Sequence, residues 1–348
     1  MVTLSDVAAL AGVSVSTASQ ALNGNAVKAE TRQLVQEAAA KLRYVPRGDA
    51  RALRTGQATS IALWIINRPG TIVYTEASFF YPLIRGVLAG AQENEHRMTL
   101  HVTDQPLDRV GRQLLEESAR GSYAAFVIVP QWANDGSYLY ELRRTGVPVV
   151  MVNDDVAASD ASVSINNDTG IEAALAHLVE QGHRAIAYLA GPKGHLDADR
   201  RLQAFYRASA ELGIHVRSAY VQRGDFTVAD GIQGLATLLD RCADSKITFP
   251  TALMTANDYV AAGALQEADR RGIAVPRDLS VIGFDDTEIA YATTPPLTTI
   301  RQPMFEVGRA AAYAATGLAQ SLPVADAVQL EPTLILRGSV ATPPQGNR

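Results

Sequence analysis

"TLSDVAALAGVSVSTASQALNG" occupies residues 3–24 and reads as two short amphipathic helices around a tight turn. Val7, Leu10 and Ala11 share one face of the first helix, with Ser5 as its expected N-cap. Gly12 falls where the chain must turn, and Ser14 is placed to cap the second helix, whose Ala18, Ala21 and Leu22 face inward. That leaves Val15, Ser16, Thr17, Ser19 and Gln20 outside. Leu34, Val35, Ala38, Ala39 and Leu42 predict a third helix beginning near Lys28. In a helix-turn-helix the second helix enters the major groove with its N-terminal residues at the base edges. Gln pairs bidentately with adenine, Ser and Thr bond to either kind of pair, and Val touches a thymine methyl. None of these contacts needs the positive charge that residues 3–24 lack. An ordinary small-helix bundle would not require the Gly12 turn with a polar outer face.

Charge supports a nucleic-acid partner for this segment. Residues 1–58 hold Lys28, Arg32, Lys41, Arg43, Arg47, Arg51 and Arg54 against Asp6, Glu30, Glu37 and Asp49, a balance of +3, so the rest of a chain of net −5 carries −8. A basic head on an acidic body suits a head that meets phosphate and a body that does not. Phosphate attraction falls to Lys28, Arg32, Arg51 and Arg54, leaving the second helix to read bases.

At 348 residues and 47% hydrophobic content, the chain is long enough for two or three packed domains. No apolar run approaches the length of a bilayer span, and the N-terminus carries no secretion pattern, so a cytoplasmic protein is expected. The single Cys242 precludes an internal disulfide, and the six histidines show no metal-ligand spacing. No metal and no cofactor are expected.

"YVPRGDARALRTGQATS", residues 44–60, reads as a linker with a short helix-capable stretch from Asp49 to Arg54. Beyond it, strand-like runs at 60–66, 98–103, 124–130, 147–153, 185–190, 219–223, 251–255 and 279–284 alternate with helical patterns. Such alternation predicts parallel sheets with helices on both faces, divided into two lobes around a cleft. Ligands in such folds bind at the carboxyl ends of strands. Asn153, Asn257, Asp258, Asp285 and Asp286 fall there, with Phe80, Phe226 and Phe284 in nearby loops. Short polar groups that grip hydroxyls beside an aromatic face suit a polyhydroxylated ligand. Asp258 and Asp168 read equally well as caps of the helices that follow them.

The opening stretch, with "ETRQLVQEAAAKLRYVPRGDARALRTG", resembles the headpiece and hinge of the LacI/GalR family of bacterial transcription repressors. The resemblance continues through "HLVEQGHRAIAYLAGP" (177–192), "ANDYVAAGAL" (256–265) and "VPRDLSVIGFDDTEIAYATTPPLTTIRQP" (275–303), nearly the whole chain. It implies an all-α helix-turn-helix headpiece (1–45), a hinge helix (46–58) and a two-lobe α/β, periplasmic-binding-protein-like core (59–340). In that division the N-lobe takes about 59–165 and 303–324, the C-lobe 166–300 and 325–340, and 341–348 is a tail. The implied partners are double-stranded operator DNA, a small-molecule effector and a second copy of the chain as a homodimer, with no membrane. Leu53 matches the hinge leucine that wedges into the minor groove, flanked by Arg51 and Arg54. The DNA-facing set also takes in Thr3, Ser5, Ser14, Asn23, Thr31 and Tyr44. By the same resemblance Arg201, Asn257, Asp285 and Gln302 contact the effector, with Asn153, Phe226 and Met304 lining its site beside Phe80.

The chain departs from the family pattern in places. Lys28 replaces the usual capping Ser of the third helix, which costs about 1 kcal/mol of capping but sets an ammonium near phosphate. The hinge carries Arg47, Gly48 and Asp49 in place of the more usual Asn, Arg and Ala, and Gly48 weakens helix propensity. The expected function is a ligand-controlled repressor whose effector is a mono- or oligosaccharide, a purine or other non-sugar metabolite being the alternative. A solute-binding protein or an enzyme on the same scaffold is the other reading. The usual phosphate-cradling glycine motifs are missing, which argues against an enzyme of that kind. The tail has no leucine heptad to drive tetramers.

Overall fold

Two units divide the chain, Met1–Thr59 and Ser60–Arg348. A computed structural model describes residues 3–22, 27–42, 44, 58–68, 77–133, 136–154 and 159–344.

In the first unit, α1 (Leu4–Ala11), α2 (Val15–Leu22) and α3 (Ala29–Lys41) pack around Val7, Ala8, Ala18, Ala21, Val35, Ala38 and Ala39. Five of these seven are alanine, so the helices can approach closely around little apolar volume. Gly12 ends α1 in the left-handed region at φ 67°, its N–H directed to the Ala8 and Ala9 carbonyls, a conformation that costs other residues about 1 kcal/mol. The N-cap of α1 is Thr3, not the expected Ser5. Thr3 Oγ1 accepts from Asp6 N at 3.3 Å and Thr3 N donates to Asp6 Oδ2 at 2.8 Å, a reciprocal capping box that starts the helix earlier. Ser14 Oγ does accept from Thr17 N at 3.1 Å, whereas Lys28 precedes α3 with no side-chain cap bond.

In the second unit, β1 (Ser60–Ile66), α4 (Ala77–Glu93), β2 (Arg97–Thr103), α5 (Leu107–Ala119), β3 (Ala125–Pro130), α6 (Ser137–Arg143), β4 (Val149–Val152) and β5 (Ala161–Ile165) build the N-lobe. The C-lobe follows with α7 (Asn167–Glu180), β6 (Ile186–Ala190), α8 (Leu196–Glu211), β7 (Val221–Arg223), α9 (Val228–Asp244), β8 (Ala252–Thr255), α10 (Asp258–Arg270), β9 (Ser280–Ile282) and α11 (Glu288–Ala292). The chain then runs through β10 (Thr299–Arg301), α12 (Met304–Ala319), β11 (Ala327–Leu330) and β12 (Thr333–Ile335). The N-lobe sheet has the order β11-β5-β4-β3-β1-β2 and the C-lobe sheet β7-β6-β8-β9, with parallel neighbours throughout. Central strands such as β1 are buried on both faces, which is why their sequences are continuous apolar runs. The antiparallel pair β10 and β12 lies where the chain passes between lobes.

One expected boundary is corrected. The sequence resemblance places 325–340 in the C-lobe, but β11 pairs with β5, Val328 opposite Val163, and so belongs to the N-lobe sheet. As an edge strand that leaves Ala327 and Gln329 exposed, β11 has no continuous apolar run to announce it. The same holds for β5, whose serines interrupt it, and for the short β10 and β12.

Two helix pairs depend on glycine. A Cβ on Gly86 of α4 would lie 2.0 Å from the Phe305 carbonyl oxygen of α12, and one on Gly263 of α10 would lie 2.0 Å from that of Val228 in α9. Backbone therefore packs directly on backbone at both crossings.

Candidate functional site

The headpiece presents a polar face. Val15 is 48% exposed, Ser16 and Gln20 are exposed, and Thr17 and Ser19 are half-buried. The Ser14 and Thr17 hydroxyls lie 2.8 Å apart, so both serve the helix start. Thr3, Ser5 and Lys28 are exposed, and Thr31 and Arg32 half-buried. Tyr44 packs against the headpiece core. Asn23, Arg51, Leu53 and Arg54, with the rest of the expected hinge helix, lie outside the described residues.

Between the lobes lies a cavity lined by Phe79, Gln131, His195, Asp197, Arg201, Asp225, Phe226, Asn257, Tyr259 and Asp285. Most of these sit where strands end, and the turns there are unusual: Phe226 has φ 67° and Asp285 φ 111°. Such backbone is costly for non-glycine residues and concentrates at ligand sites.

Arg201, 3% exposed, organises the C-lobe wall. Its Nε donates to Asn167 Oδ1 at 2.8 Å and Nη1 to the Ala256 carbonyl at 2.8 Å; the guanidinium lies 3.8 Å from the Phe284 ring centroid and 3.7 Å from Asp285. Asn167 also donates to Asp197 Oδ1 at 2.9 Å, and Asn153 to Asp197 Oδ2 at 3.1 Å. Asn257 caps α10, accepting from Val260 N at 2.9 Å while donating to the Phe226 carbonyl at 3.0 Å. One amide thus fixes both the helix start and the aromatic turn.

Carboxyl groups crowd the floor. Burial pushes Asp285 well above the usual carboxylate range despite Arg201, and Gln302 Nε2 donates to its Oδ1 at 2.6 Å. Burial raises Asp258 to about 7, opposed by bonds from Thr299 Oγ1 at 2.5 Å and Thr287 N at 2.7 Å. Asp286 turns away, to Arg301 at 2.7 Å and Arg337 at 2.5 Å.

The lobes touch across the cleft. Ser78 Oγ and Tyr259 Oη lie 2.7 Å apart, Ala133 N donates to the Gly194 carbonyl at 2.9 Å, and Leu196 N to the Gln131 carbonyl at 3.0 Å. His195 sits edge-to-face with Trp132 at 5.3 Å and Phe226 at 5.0 Å, and burial lowers its pKa to about 4. Gln131 donates to Asn67 at the ends of β3 and β1.

Of the expected effector residues, Arg201, Phe226, Asn257 and Asp285 line the cavity. Asn153 and Gln302 stand behind it, on Asp197 and Asp285. Phe80 and Met304 are buried in the N-lobe core, and the neighbouring Phe79 lines the cavity instead. Neither Asp258 nor Asp168 caps its helix: Asn257 and Asn166 do, while Asp168 pairs with Arg207 at 2.7 Å. Sequence reasoning missed Phe79, Gln131, His195, Asp197, Asp225 and Tyr259. Asp197 carried a usable signal, since it is four residues before Arg201 on the same helix.

Residues 3–47 match the model of bacterial regulatory proteins of the lacI family, and residues 175–340 match a periplasmic binding protein-like domain. The chain is 32% identical to the HTH-type transcriptional repressor CytR of Escherichia coli K12 over 98% of its own length and 97% of the relative's. Its fold is similar to the lac repressor dimer bound to operator and the anti-inducer ONPF, with TM-score 0.85 and 26% identity over 98% of this chain and 99% of that one. It is also similar to the transcriptional regulator CelR in complex with cellobiose, with TM-score 0.70 and 28% identity over 97% and 100% of the two chains. Among the described residues no helix is long and apolar enough to cross a membrane. With both segments matched in order and a relative aligned from end to end, the chain belongs to the LacI family of bacterial regulatory proteins.

Proposed function

We propose that the protein is a cytoplasmic transcriptional repressor, without enzymatic activity, whose grip on operator DNA is set by a sugar bound between the core lobes. One observation carries this reading: a single chain holds an exposed, uncharged reading face on α2 and an interlobe cavity walled by carboxylates, amides and aromatic rings. Val15, Ser16 and Gln20 read base edges, while Lys28 and Arg32, with Arg51 and Arg54 of the hinge, hold phosphates. Leu53 supplies the minor-groove wedge, whose unstacking cost of a few kcal/mol is offset by contacts with the kinked duplex. Arg201, Asn257 and Asp285 grip the effector, and Phe226 and Phe79 cover its ring. Cleft residues come from both lobes, so a ligand that prefers one lobe arrangement shifts the population of the whole core. Similarity to an operator-bound lac repressor dimer supports a homodimer acting on a pseudo-palindromic site.

Footprinting the full chain on random genomic fragments, with and without a carbohydrate panel, tests this. Protection of a pseudo-palindromic site that one sugar strengthens or abolishes is the expected result. Sequence-independent binding, or a footprint that responds to purines alone, would overturn the reading. Leu53→Ala should weaken operator binding sharply and leave effector affinity unchanged.

A further inference from the structure

We infer that the cleft selects an uncharged, polyhydroxylated ring and rejects the phosphorylated or carboxylated form of the same sugar, with Asp197 and Asp285 setting that choice. This rests on the reading of the cavity as the effector site.

Charge accounting comes first. The cavity wall carries the carboxyl groups of Asp197, Asp225 and Asp285 against one guanidinium, Arg201. Arg201 is already committed: Asn167 Oδ1 and the Ala256 carbonyl take its protons at 2.8 Å each, and Asp285 stands 3.7 Å away. At the rim, the Arg68 guanidinium lies 4.5 Å from the Trp132 ring centroid and 4.0 Å from Asp225. His195 brings no charge. Its Nδ1 accepts from Ala198 N at 3.4 Å as the N-cap of α8, which leaves the ring proton on Nε2, and burial keeps the imidazole neutral near pH 7. An entering anion would therefore meet two buried carboxyl groups and a cation already paired. Burial already makes ionised Asp285 costly, and a second negative charge beside it adds to that cost.

A hydroxylated ring meets complementary groups instead. Asp285 Oδ2 takes no hydrogen bond from the described residues, and Gln302 occupies only Oδ1. Asp197 is held by one amide on each oxygen, which leaves lone pairs on both. Asp197 suits hydroxyl donors, Asp285 Oδ2 accepts from a hydroxyl or, protonated, donates to one, and His195 Nε2–H suits a hydroxyl or ring oxygen as acceptor. Phe79, Phe226 and Tyr259 offer apolar surface to the C–H faces of a ring. Two carboxyl groups with no free cation among the described lining residues are the reverse of a phosphate site, where arginines converge with open forks.

The test uses the full chain and paired probes: glucose with glucose 6-phosphate and glucuronate, ribose with ribose 5-phosphate, and cellobiose with cellobionate. Thermal shift finds a responding family, and calorimetric titration measures each member. A neutral member should bind at least about a hundredfold more tightly than its anionic partners, because like-charge juxtaposition in a buried site is strongly unfavourable. In Asp285→Asn, which tolerates the positive φ, that gap should narrow about tenfold. Asp197→Asn should narrow it independently, with folding of each variant checked by circular dichroism. An anionic member that binds as tightly as its neutral partner overturns the inference, as does a gap unchanged in both variants. No response to any neutral member overturns the sugar reading itself.

Discussion

In the headpiece, the residues proposed to meet a ligand stand outside the apolar cluster; in the core, they form part of the buried interior. Val15 is 48% exposed and Gln20 is exposed, with Ala18, Ala21 and Leu22 facing inward from α2. Arg201 is 3% exposed and holds Asn167, the Ala256 carbonyl and Asp285 together before any ligand arrives. Recognition and folding are thus separable in the headpiece and fused in the cleft. An exposed reading face can be rewritten without repacking, whereas Asp197, Arg201, Asn257 and Asp285 in the cleft are each also a partner for another buried polar group, and removing one leaves that partner unsatisfied.

The largest effect should come from a core position that touches no ligand. In Gly263→Ala the new methyl would lie 2.0 Å from the Val228 carbonyl oxygen, so α9 and α10 must separate, at a cost of about 3 kcal/mol or more in urea denaturation. An unchanged midpoint would show that this pair is not rigid. Arg201→Met tests the fusion directly. Stability should fall by about 3 kcal/mol and effector binding should vanish together, because Asp285 and Asn167 lose a buried partner. Loss of binding at full stability would break the contrast.

Next comes a pH effect. Asp258, raised to about 7, holds its proton more tightly in the folded chain than in the unfolded one, where an ordinary carboxyl titrates near 3.8. Its contribution is therefore full at acid pH and is lost as pH rises from about 4 to about 7. The stability difference between wild type and Asp258→Asn should change by about 4 kcal/mol across that window, in favour of the variant as pH rises. A difference independent of pH would contradict the buried, protonated carboxyl. The smallest expected change in stability belongs to the headpiece. Gln20→Ala should shift the melting temperature negligibly while costing about 1–2 kcal/mol of base discrimination in competition binding. Full operator preference in that variant would remove Gln20 as the discriminator.

Legibility followed the same divide. Helix faces in the headpiece were readable because α2 repeats its alanines at three-residue spacing over a polar remainder. The interior strands were readable because parallel strands buried on both faces are continuous apolar runs. Strands broken by polar or exposed residues were not: the interior β5 carries Ser162 and Ser164, and the edge strand β11 exposes half its residues. The cap of α1 was missed by two positions, since both Thr3 and Ser5 carry suitable hydroxyls and only the Asp6 carboxylate singles out Thr3.

By itself the sequence determined the order of headpiece, linker and two-lobed core, the apolar faces, and the polar residues at strand ends, because each follows from periodicity within one segment. Tertiary structure alone decided which neighbours line the cleft. Phe79 and Phe80 are adjacent on one helix, yet about 100° apart around it, so one lines the cavity while the other fills the core. His195, Gln131 and Tyr259 reach the site through lobe-to-lobe contacts between segments more than fifty residues apart, and no local pattern encodes a meeting of that range.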